Sequence, residues 1–136
     1  MTRLMITLVV LLLSGFDTAH ATQVGDKTLL KRIILAQTAA FRAGDMAKAF
    51  AFASPALHRH FRTPSSFMRM VRRNYSAVID PRLIAFGRVV NTPIDRPIQT
   101  ATIIDHSGRR WQAVYQFQRH AGGGWSISAV SLKSRR

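Results

Sequence analysis

Between residues 26 and 75 apolar positions recur every three or four residues, and after Pro81 they alternate. Leu30, Ile33, Ile34, Gln37, Ala40 and Phe41 make one such stripe, which predicts a helix through "GDKTLLKRIILAQTAAFRAGD". Asp26 is placed to cap its start, because a carboxylate accepts from the free amides of a first turn. Gly44 sits where a helix ends in the left-handed region. Asp45 then caps "MAKAFAFA", while Ser54-Pro55 and Thr63-Pro64 each join a capping hydroxyl to a proline suited to the first helical position. In "SSFMRMVRRNY" the stripe is Phe67, Met70, Val71 and Asn74/Tyr75, with Arg69, Arg72 and Arg73 on the opposite side.

The alternating half predicts strands at "RLIAFGRVV", "PIQTATIID", "RWQAVYQFQ" and, after "AGGG", at "WSISAVSLK". Ser107-Gly108 reads as a two-residue hairpin turn. That turn sets Ile104 opposite Trp111, Thr102 opposite Ala113, Thr100 opposite Tyr115 and Ile98 opposite Phe117. Gln99, Ala101, Ile103, Asp105, Arg110, Gln112, Val114 and Gln116 would then share the polar face. Helices first and a sheet after them imply an α+β fold, N-terminal helices packed on a curved antiparallel sheet with a cavity between the layers.

The chain begins with a different pattern. Arg3 precedes an apolar run from Leu4 to Leu13, and Ala19-His20-Ala21 has the small-x-small form of a cleavage site. The run is about half the roughly 20 residues a membrane-spanning helix needs. Residues 1–21 therefore read as a secretory signal peptide and 22–136 as one domain, periplasmic or secreted. Such a domain buries roughly two thirds of its unfolded surface. The sequence has no cysteine, so no disulfide stabilises it and its core must do so.

Charge changes the choice of partners. The chain carries 20 Lys+Arg against 6 acids, all aspartate, for a net charge of +14 at pH 7. A field of that sign attracts anionic lipid or envelope polymer; export makes nucleic acid an unfavoured partner. Arg59, Arg62, Arg69, Arg72 and Arg73, with Lys133, Arg135 and Arg136, are candidates for one anion-binding face. His58 and His60, two apart on a helix, point to different sides and do not make a metal pair. No metal or cofactor is expected. Tyr75, Trp111, Tyr115, Phe117 and Trp125, with Phe86, are the candidate lining of the cavity, which would take a small apolar or amphipathic ligand.

The segment "AFRAGDMAKAFAFASPALHRHFRTPSSFMRMVRRNYSAVIDP", with "WQAVYQFQR" and "GGWSI", resembles an uncharacterised domain-of-unknown-function family of short alphaproteobacterial proteins. That family is similar to the cone-shaped fold of nuclear transport factor two, SnoaL-type cyclases and ketosteroid isomerases. Ser126, where a basic residue is expected, and Gly122-Gly123, where an acidic turn residue is usual, depart from the pattern. The resemblance implies no activity of its own, since the fold hosts enzymes and inert binders. Enzymes of this fold use a pocket Asp with Tyr or His, so the catalytic alternative is a cofactor-free lyase or isomerase using Tyr75 or Tyr115 with Asp80 or a histidine. The preferred reading is a non-catalytic binding or accessory module. If two copies associate, such folds imply a homodimer through the open sheet face.

Overall fold

The computed structural model describes residues 18–92 and 96–136, with the backbone alone for 18–25. The apolar run Leu4–Leu13 and Asp95 lie outside the described residues. Four helices come first: α1 Thr18–Arg42, α2 Met46–Ala51, α3 Pro55–Phe61 and α4 Pro64–Asn74. A single 3-10 turn, Ser76–Val78, leads into β1 Leu83–Val90, β2 Ile98–Ile104, β3 Arg110–Arg119 and β4 Trp125–Arg135. The strands form one antiparallel meander in the order β1-β2-β3-β4. The α+β arrangement is thus the one the periodicities imply. No described helix is long and apolar enough to cross a membrane.

The helical half follows its punctuation. All six residues of the α1 stripe are buried, Gln37 among them. Gly44 takes φ +70°, and Asp45 Oδ1 accepts from the Lys48 amide at 3.1 Å. Ser54 and Thr63 cap α3 and α4 through the amides of Leu57 and Ser66, with Pro55 and Pro64 in the first turns. One capping assignment is corrected. Asp26 lies inside α1, not at its start, and its carboxylate serves the sheet instead.

The sheet half needs a second correction. The hairpin turn has one residue more than Ser107-Gly108 suggests. Asp105 and Arg109 pair through their backbones, and Gly108 at φ +80° forms the left-handed corner. The register therefore shifts by one: Ile103 faces Trp111, Ala101 faces Ala113 and Gln99 faces Tyr115. Gln99, Ala101 and Ile103 turn inward with the β3 aromatics, while Ile98, Thr100, Thr102 and Ile104 face outward. Arg110 then stands opposite Ile104, and not beside Asp105.

Two irregularities bend the strands, one between Phe86 and Val89 of β1, the other between Gln116 and Phe117 where β4 has the extra residue Ser128. At the first, a Cβ on Gly87 would lie 2.4 Å from Thr100 Oγ1, so any side chain there requires that hydroxyl to move from its bond to Arg88 O. The helices cover the inner sheet face, and one apolar core joins α1, α2 and α4 to Ala101, Ile103, Ala113, Tyr115, Phe117 and Ile127. The α2–α3 connection also docks on the edge of β4. Ile127 N donates to Phe52 O and Ser54 N to Ile127 O, both at 2.9 Å, in a parallel bridge.

A candidate ligand cleft between the helices and the last two strands

A cleft of about 370 Å³ lies between the layers. Its helical wall is an aromatic cluster. Phe67 of α4 stands 6.2 Å from Phe41, 5.0 Å from Phe50 and 5.8 Å from Phe61, centroid to centroid. Phe41, Phe61 and Phe67 line the cleft with Leu57, Met70 and Val71. Phe67, Met70 and Val71 are three or four apart on one face of α4, while Phe41 comes from α1 and Leu57 and Phe61 from α3, so three helices share this wall. The sheet wall is Tyr115 of β3 and Ile127–Val130 of β4, where the bulge at Ser128 sits. The polar lining is sparse: Gln37, Asn74, Ser128 and the two tyrosines, Tyr75 and Tyr115.

Two of these polar groups are deeply placed. Tyr115 is 1% exposed. No hydrogen bond holds its hydroxyl among the described residues, and burial raises its pKa above the usual tyrosine value. Gln37 is 5% exposed and donates from Nε2 to Ala49 O at 3.2 Å, which fixes the amide and leaves Oε1 for the cleft. Its signal was visible in the sequence as a glutamine on an otherwise apolar stripe. Leu57, Phe61 and Met70 carried no comparable signal, because apolar positions on short helices read equally well as core.

Of the aromatic residues singled out from sequence, Tyr75 and Tyr115 meet at the cleft. Trp111, Phe117, Trp125 and Phe86 are placed elsewhere. Phe117 is fully buried in the core. Trp111 donates from Nε1 to Asp105 Oδ2 at 2.9 Å, at the hairpin. Trp125 donates to Asp26 Oδ1 at 3.3 Å, and the Arg119 guanidinium stacks 4.1 Å from its ring. Arg119 also pairs with Asp26 at 3.7 Å, so this cluster ties α1 to β3 and β4. Phe86 is half-buried on β1, with the Lys31 ammonium 5.9 Å from its ring.

The acidic, basic and imidazole side chains take positions outside the cleft. Asp80 accepts from Arg42 Nε at 2.7 Å and contacts His106 Nε2 at 3.1 Å. The Arg42 hydrogen bond is the main cause that lowers the Asp80 pKa. His58 stacks on Phe50 at 4.0 Å and His60 meets the edge of Phe61 at 4.7 Å. Arg59, Arg62, Arg69, Arg72 and Arg73 are all exposed, and none pairs with an acid among the described residues. Lys133 and Arg135 lie on the outer sheet face, across the sheet from α3 and α4. The basic residues therefore form two surfaces and not one.

No curated protein and no solved structure matches the chain. A family model does match, over residues 23–136, which span α1 through β4 and both walls of the cleft. The chain belongs to the family described as Domain of unknown function (DUF4864).

Proposed function

We propose that this protein is an exported, non-catalytic binding module of the cell envelope, and that it takes a small apolar or amphipathic molecule into the cleft. The single observation that carries this reading is the cleft itself: about 370 Å³, apolar on both walls, with a few polar groups converging on it. That is the usual composition and size of a small-molecule site. The amino-terminal signal pattern supports export to the periplasm or medium, and the resemblance to the cone-shaped, SnoaL-like fold agrees with a site between helices and sheet. A lyase or isomerase needs a positioned base. No carboxylate or imidazole lines the cleft, and a tyrosine whose pKa is raised is a poor base. Binding is therefore preferred to catalysis.

A second reading rests on the five arginines of α3, α4 and the turn between them, which lack acidic partners among the described residues. They suit an anionic lipid or envelope polymer. The test of the main reading is native mass spectrometry of the protein taken from its own envelope fraction. An added mass of a few hundred daltons, lost on denaturation, is expected. A bare protein mass under gentle desolvation, together with no binding of a panel of apolar probes, would overturn it.

A further inference from the structure

We propose that the cleft selects an uncharged apolar molecule carrying one hydrogen-bond-accepting oxygen, a carbonyl or hydroxyl, and that Tyr115 donates to that oxygen. This rests on the reading of the cleft as a ligand site. Three observations carry it. The lining holds no Lys, Arg, His, Asp or Glu; its ionisable side chains are the two tyrosines. An ion placed there would lose its hydration with no counter-charge to replace it, which strongly disfavours a charged ligand head. Second, Tyr115 is 1% exposed, with no partner for its hydroxyl among the described residues. The fully buried unpaired side-chain atoms among the described residues are Gln99 Oε1 and Ser126 Oγ and do not include this hydroxyl, so its oxygen keeps access from the cleft that Tyr115 lines and can donate there. Third, the raised pKa keeps this hydroxyl protonated at neutral pH, so it is a donor. Gln37 adds the complementary group. Its Nε2 is committed to Ala49 O, and the Oε1 left over accepts from a ligand hydroxyl where there is one.

The experiment uses three probes of one shape, the β isomers of ethylnaphthalene, acetylnaphthalene and naphthoate, titrated by their own fluorescence. The ketone should bind about five-fold more tightly than the hydrocarbon, the yield of one net hydrogen bond, and naphthoate most weakly. Tyr115→Phe should bring ketone and hydrocarbon to equal affinity, leave the hydrocarbon's affinity in place and not lower the melting temperature. Equal binding of ketone and hydrocarbon by the wild type, or a ketone preference that survives in Tyr115→Phe, overturns the inference and leaves the cleft reading standing. Tighter binding of naphthoate than of the ketone overturns the uncharged class. If none of the three binds, the inference and the reading beneath it fall together.

Discussion

Asp105 organises the β2–β3 hairpin through one carboxylate. Its Oδ1 accepts from Ser107 N at 3.0 Å, Ser107 Oγ at 2.6 Å and Arg109 N at 2.9 Å, while Oδ2 accepts from Trp111 Nε1 at 2.9 Å. These bonds, that of the Ser107 hydroxyl foremost and the Trp111 indole next, hold the Asp105 pKa down at about 2. A carboxyl whose folded pKa is depressed contributes stability above its unfolded value, near 3.9, and that contribution is lost as pH falls through the folded value. The Trp111 indole N–H resonance, which reports the folded state, should therefore hold its position through the unfolded value near 3.9 and reach the midpoint of its shift only at a pH of about 2. If Asp105→Asn shows the same resonance position and no such transition is seen in the wild type, the carboxylate does not set the turn. Sequence shows Asp105 beside the turn but not its bonds. Ser-Gly fits a two-residue turn equally well, so the register came out one residue short. The β3 aromatics kept their face, and the β2 residues exchanged theirs.

At the level of elements, the α3–α4 corner combines legible and illegible parts. The Ser54-Pro55 and Thr63-Pro64 pairs announce both helix starts, because capping chemistry is local and needs no tertiary partner. Between them, Arg62 adopts φ 64° and ψ −40°, and Thr63 N donates to Phe61 O across it at 2.7 Å. This is a γ-turn of the rare, strained hand. No local sequence signal marks it; the turn is imposed because Phe61 and Phe67 must both reach the cleft wall. Glycine relieves such strain, which costs roughly 1–3 kcal/mol. Arg62→Gly should then raise the melting temperature while weakening heparin binding at low salt, if Arg62 is part of an anion-binding face. A variant that gains stability with unchanged heparin affinity would separate the arginine from that role. A variant that loses stability would show that the turn is not strained.

The whole molecule carries +14 charges, and the outer sheet face shows how little they are balanced. Arg110 stands directly opposite Arg135, and Gln112 opposite Lys133. Like charges directly across strands repel. The two partners expected of the surface therefore answer salt in opposite directions. Raising ionic strength screens repulsion between copies, so a homodimer through this face should tighten. A polyanion on the arginines should loosen steeply. Sedimentation velocity and heparin retention, run over the same salt series, read both; association of copies that weakens with salt would exclude the outer sheet face as the contact. The layer order and the cleft's two tyrosines were legible from the change of period. The tryptophans were not, because each indole N–H goes to an aspartate outside the cleft, Asp105 for Trp111 and Asp26 for Trp125. The bridge between Ala53 and Ile127 bears on the order of assembly. It joins the helical third of the chain to its last strand, so the loop it closes is long and its contacts form late. In pulsed hydrogen exchange during refolding, the amides of Ser54 and Ile127 should gain protection together and after those of α1. Until they do, the cleft has one wall and no interior, and an apolar molecule has no enclosed surface to enter.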